Sequence, residues 1–243
     1  IAGADAEDPA SAGKSFHYAP QFSRDLKEVR VGYAPVDFAE WAEPSARPDF
    51  AKAIETIRSL GVQVTEVKMP EFPYGPIIST IISSEAAAIF EPLIQSGKVD
   101  ELLDPKQIAG LKAGLEIPAK DYLKAMRIRS LIQAAFNDLL ADVDVLLAPS
   151  RLGPAPKITE PLDRPSSDRA TPTNPGLNAL IPAGNLAGLP ALSLPCGFAD
   201  GMPIAIQLVG RPFSENTLLA IGRDFQARTD WHKRRPPVDE PRT

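Results

Sequence analysis

The stretch Val29–Val67, VRVGYAPVDFAEWAEPSARPDFAKAIETIRSLGVQVTEV, decides the fold class. Val29–Ala34 alternates apolar and polar residues as a strand does. Ser45 can cap a following helix, Pro48 suits its first turn, Phe50, Ile54, Ile57 and Leu60 recur at helical spacing, and Gly61 can end it. Val62–Val67 then resumes the strand pattern. Two strands joined by a helical crossover of this length predict parallel pairing, and so an α/β sheet.

The same reading extends towards both ends. Residues 1–28 are polar and irregular. From Ile77 to about Gly114 apolar residues keep helical spacing, with breaks expected at Pro92, Gly97 and Pro105. Asp121–Leu140 reads as the longest helix, with Leu123, Ile128, Leu131, Ile132, Ala135, Phe136 and Leu139 forming one broad apolar stripe. Val143–Ala148, stopped by Pro149, reads as a strand buried on both faces. Pro149–Gly176 is a long loop rich in Pro, Ser, Thr and charge, the kind of segment that serves as a binding surface or lid. Strands at Ala191–Leu194 and Ile204–Val209, connected through Gly197–Gly201, and a helix from about Glu215 to Arg228 complete the pattern. Residues 1–243 are therefore read as a single α/β region.

Composition narrows the function. The chain is 44% hydrophobic and 23% charged with a formal net charge of −5, which fits a globular protein and argues against a nucleic-acid scaffold. One Cys excludes an internal disulfide and a Cys-rich zinc site and suits a cytoplasmic setting. His17 and His232 stand far apart and read as surface residues, so neither a His-built metal centre nor a Ser-His-Asp triad has its parts. Ala170–Ala199 carries no charge, but its five Pro and four Gly exclude a continuous spanning helix, and no membrane partner is expected. The opening IAGADAEDPASAG lacks the marks of a signal peptide and reads as a cut inside a longer protein.

No G-x-S-x-G elbow, S-x-x-K, H-E-x-x-H or Walker loop occurs. Ser83 and Ser84 lie in a helical pattern and read as capping or solvated residues; Ser166 and Ser167 read as loop residues. Cys196 reads as a small buried hydrophobe rather than a nucleophile. The segment NLAGLPALSLPCGFADGMPIAIQLVG, Asn185–Gly210, reads from its residues alone as a buried strand pair.

With IAGADAEDP at Ile1–Pro9, VRVGYAPVDF, and DYLKAMRIRSLIQAAFNDLLADVDVLLAPS, that segment resembles the amidase signature family, which includes the A subunits of tRNA-linked amidotransferases. The resemblance covers nearly the whole chain. It implies the C-terminal part of the amidase signature fold, a mixed β-sheet flanked by helices. It also implies hydrolysis of a carboxamide by a Ser-Ser-Lys acyl-transfer mechanism, without cofactor or metal. In the family the three catalytic residues precede the segment matched by IAGADAEDP, so none is carried over here. The missing N-terminal half of the same fold is then an expected partner, with a small-molecule amide as substrate and self-association as homo-oligomers possible. Pro149, Ser150, Asn178 and Ile181 are the substrate-binding candidates. In the amidotransferase A subunits a carboxylate stands where Asn178 stands here, and an Arg precedes the long helix, whereas Gln107–Gly114 (QIAGLKAG) has none. Neutral Asn178 favours a neutral amide over glutamine, although an Asn in a Pro-rich loop equally suits a turn. A non-catalytic binding domain derived from the fold is the alternative from another class, and a piece of such an amidotransferase component is the third.

Overall fold

A computed structural model describes residues 3–8, 11, 13, 16–22, 24–156, 159, 176–177 and 179–235. Most of the expected 149–176 loop, with Ser166 and Ser167, lies outside the described residues, as does Asn178.

Among the described residues five strands form one sheet in the order β2-β1-β3-β5-β4. They are β1 (Arg30–Tyr33), β2 (Gln63–Glu66), β3 (Val145–Pro149), β4 (Ala191–Ala199) and β5 (Met202–Gly210). β1 pairs parallel with β2, as the crossover predicted, and also parallel with β3, while β5 runs antiparallel to both β3 and β4. The sheet is therefore mixed. β4 and β5 are longer than expected because the chain stays extended through Gly197, with a bulge between Pro195 and Gly197, and turns only at Asp200-Gly201. Gly201 there has φ +77°, a conformation glycine adopts without strain.

Helices cover both faces. On one, Phe50, Ile54 and Ile57 of α1 (Arg47–Ser59) and Leu218, Ile221 and Phe225 of α6 (Glu215–Ala227) pack on Val31, Val145, Leu147, Ile206 and Leu208. On the other, Leu146, Ala148 and Val209 meet α2 (Tyr74–Gln95), α4 (Ala119–Asp142) and α5 (Leu180–Ala187). α3 (Pro105–Gly114) leans on α2, its Gly114 lying so close that a Cβ would fall 2.6 Å from the Ser83 carbonyl. At the other end of the sheet, Asp144 accepts the Arg30 N–H at 2.8 Å and pairs with the Arg24 and Arg30 side chains. Burial works against its charge, but the hydrogen bonds from Arg30 hold its carboxyl below the usual range.

Four expectations need correction. Ser45 does not cap α1; it donates to Asp200 at 2.9 Å, and Ala46 takes the cap position with no side-chain bond. Pro92 does not break α2, because so near the helix C-terminus it forfeits only one late hydrogen bond. The buried stripe of α4 runs through Ala125, Ile132, Phe136 and Leu140, leaving Leu123 and Leu131 more than half exposed. His232 is half-buried, with its Nδ1 enclosed and unpartnered among the described residues.

A π-helical turn, Asp37–Trp41, follows β1 and buries Asp37 completely. One Asp37 carboxylate oxygen accepts the Leu177 N–H, fixing the chain three residues before α5. Its other oxygen, Oδ1, is buried without a partner among the described residues, pressed against the bare Cα of Gly176. Burial pushes the Asp37 carboxyl up to about 6, against a smaller opposing pull from the Leu177 hydrogen bond.

Because the folded value lies above the unfolded one, the folded state keeps this proton to higher pH. Stability is then greatest below about pH 4 for this group and falls through pH 6 by about 3 kcal/mol. Asp37→Asn keeps an acceptor for Leu177 while removing the buried charge. It is expected to raise stability at pH 7.5 by about 1–2 kcal/mol, the unpaired amide N–H offsetting part of the gain. Denaturant unfolding measured from pH 4 to 8 should show a flatter dependence for the variant, and parallel curves would contradict this origin of the shift.

Candidate functional site

Strand alternation places Leu146 and Ala148 on the sheet face covered by α5, and the same alternation along β5 and β4 places Gln207 and Ser193 there. Ser193 pairs in register with Gln207, and Gln207 with Ala148. β3 ends at Pro149, and the next residue leaves the ladder with its N–H still donating to the Ala205 carbonyl at 2.8 Å. That bond holds Ser150 so that its Oγ lies 3.0 Å from the Ser193 Oγ. Buried Gln207 donates from Nε2 to the Pro149 carbonyl at 3.1 Å. The result is a small polar patch among the otherwise apolar strands β3, β4 and β5.

Cover over this patch is incomplete. Ser193 and Ala191 are exposed and Ser150 is half-buried, whereas Val209, further along the same face, lies under α5 at Gly184. Ile181, in the first turn of α5, presents an apolar side chain that is 47% exposed. The helix is anchored at both ends: Asp37 holds Leu177 before it, and the Arg129 guanidinium of α4 donates to the Leu186 carbonyl at 2.9 Å near its C-terminus, where a cation also suits the helix dipole. Gly188, at φ +74°, closes it.

Of the four candidates read from the sequence, Pro149 and Ser150 sit at this patch, Ile181 stands on the adjoining helix, and Asn178 lies outside the described residues. Sequence reasoning missed Ser193, Gln207 and Asp37. The first two carried a usable signal, since a polar residue inside an apolar strand marks a point where the strand faces something polar. Asp37 carried none, because its burial depends on a contact 140 positions away.

The patch offers hydroxyls and an amide that can hydrogen-bond a substrate, but among the described residues no Lys or His shares these hydrogen bonds to activate an oxygen. Cys196 is no substitute. It lies in the opposite core, 1% exposed, with its thiol pushed up to about 12 by burial first and the Asp49 charge second. Among the described residues no three His, Cys, Asp or Glu side chains are grouped to hold a metal ion.

A family model described as Amidase matches residues 1–219. The A subunit of the glutamyl-tRNA(Gln) amidotransferase of Methanosarcina barkeri is 32% identical, matching 98% of this chain and 53% of its own length. Its counterpart in a Synechococcus species is 34% identical over 99% of this chain and 50% of its own. Among solved structures, a chain from a vestigial protein complex linked to the origins of an s-triazine catabolic enzyme superposes with a TM-score of 0.72 at 27% identity, covering 93% of this chain and 49% of that one. An amidase crystal structure gives 0.71 at 26% identity, covering 90% and 48%. The chain thus spans about half the length of the relatives it matches. Matched by the family model over most of its length and by amidase structures in its fold, the chain belongs to the Amidase family.

Proposed function

We propose that this chain is the pocket-bearing, C-terminal portion of an amidase that hydrolyses a neutral carboxamide to a carboxylate and ammonia. The observation that carries the reading is the incompletely covered Ser150–Ser193–Gln207 patch, which has groups to hold an amide and, among the described residues, no Lys or His bonded to them to activate an oxygen. The relatives' doubled length supports an activating group supplied by a further segment. In a Ser-Ser-Lys acyl transfer, the nucleophilic Ser oxygen bonds to the amide carbon and the C–N bond breaks, with its proton passing through the base to the departing ammonia. Water then cleaves the acyl ester and restores the hydroxyl. The role of this chain is to hold the amide in place, through Ser150 at the polar end and Ile181 against its apolar part.

Membership of a tRNA-linked amidotransferase, as its A subunit, is the second reading, favoured by the names of the curated relatives. Those names do not fit an exclusion of nucleic acid based on charge alone, so the exclusion drawn from composition is withdrawn. Asn178 and the absence of Arg from Gln107–Gly114 favour the neutral-amide reading, since glutamine carries a full charge at each end of its backbone.

The longer polypeptide should release ammonia from neutral amides while the 243-residue chain alone releases none; release by the short chain, or preference for glutamine by the long one, would overturn the reading. In the active protein, Ser150→Ala should lower kcat/KM by roughly 2–10-fold, the worth of one neutral hydrogen bond. Asn178→Asp should shift preference towards amides bearing an ammonium group, by about 1–3 kcal/mol for a partly desolvated pair. An unchanged ratio of rates on neutral and amino-bearing amides would remove Asn178 from the pocket.

A further inference from the structure

α2 has two apolar stripes, and the fold uses only one. Tyr74, Ile77 and Ile81 are buried against the sheet side, and Ala87 is buried beside Gly114 of α3. On the outside, Gly75, Ser79, Ile82, Ala86, Ile89 and Leu93 follow one another at intervals of four, three, four, three and four residues. That alternation is the seam spacing of two helices packed lengthwise. The stripe runs for about 27 Å at 1.5 Å per residue. Ile82 is 57% exposed, Ile89 72%, and neighbouring Phe90 45%. Glu85 and Glu91 are the only charged residues in the helix. A helix this apolar all round is normally buried all round.

We propose that the outer stripe of α2 seats a helix from the part of the amidase fold that lies outside this chain, a proposal resting on the reading of the chain as part of an amidase. The length of the relatives supplies the occupant, since about half of each matched chain has no counterpart here. The residue sizes suit a helix. Gly75, Ser79 and Ala86 let a partner backbone approach, and Ile82, Ile89 and Leu93 supply side chains to fill its grooves.

By length and composition α2 could also cross a membrane. Its surroundings argue for protein instead. One stripe is already committed to the core, and Tyr122 of α4 donates to Glu85 at 3.4 Å. The two charged residues on the helix, Glu85 and Glu91, are acidic, whereas helices that bind lipid surfaces carry Lys and Arg on the polar face.

The test is thiol labelling of the longer polypeptide carrying Ile82→Cys, Ile89→Cys or Ser79→Cys, each rate referred to the same variant unfolded in urea. Ser79→Cys is the mildest change and serves if the isoleucine variants do not fold. The parent protein, whose Cys196 is buried, gives the blank. Native labelling at all three positions should be slowed at least about 100-fold, at every protein concentration and without lipid, as expected when exposure needs opening of a packed interface. Labelling within about threefold of the unfolded rate would overturn the proposal. So would protection that vanishes on dilution, which assigns the stripe to a second copy, or protection that appears only with phosphatidylcholine vesicles. Ammonia release is read separately on the same samples, so protection without amide hydrolysis refutes the amidase reading and leaves the seat standing.

Discussion

β3 is dry on both sides, and the rest of the structure is arranged to keep it so. All five of its residues are buried, Val145 and Leu147 facing the α1/α6 core and Leu146 and Ala148 facing the α2/α4/α5 core. Its backbone groups can then be satisfied only by neighbouring strands. β1 supplies them in parallel and β5 in antiparallel, so the parallel and antiparallel parts of the sheet meet at this strand. Removing either helical layer would expose large apolar side chains and leave the sheet with one wet face, a cost that side-chain adjustment cannot recover.

The same constraint produces the polar patch. Pro149 cannot donate to a ladder, so β3 stops there and its carbonyl turns to Gln207, while Ser150 leaves the sheet tethered through its own N–H. Ser193 reaches the same point from β4 by register. Three polar side chains thereby converge beside strands β3, β4 and β5, which are otherwise apolar. They border an uncovered stretch of the sheet, and on the proposed reading the reacting groups come to this border from elsewhere in the fold. Asp37 acts at a distance from the patch: it holds the start of α5, and so Ile181, in place by a single hydrogen bond to Leu177.

Much of this was legible in the residues. The β1–α1–β2 crossover and the buried β3 follow from periodicity, because local alternation and helical spacing report which face is covered. The errors fall where the deciding contact is remote. Ser45 has the composition of a cap, but Asp200 on the β4–β5 turn competes for its hydroxyl. Leu123 and Leu131 share the spacing of α4's apolar residues, yet α2 and α5 touch a narrower face than the sequence offers. Pro92 is a breaker only where later hydrogen bonds would be lost. Of the site, Pro149 and Ser150 came from resemblance, while the Ser193–Gln207 partnership depends on a register that only the paired strands define.

On the proposed reading this chain is one part of a single cooperative fold rather than a self-contained domain. Urea unfolding of the longer polypeptide, followed by a probe in each half, distinguishes the two. A single shared transition is expected, with an m-value scaled to the surface of the whole length, well above that of 243 residues. Two separate transitions, one matching the midpoint of the 243-residue chain measured alone, would contradict it.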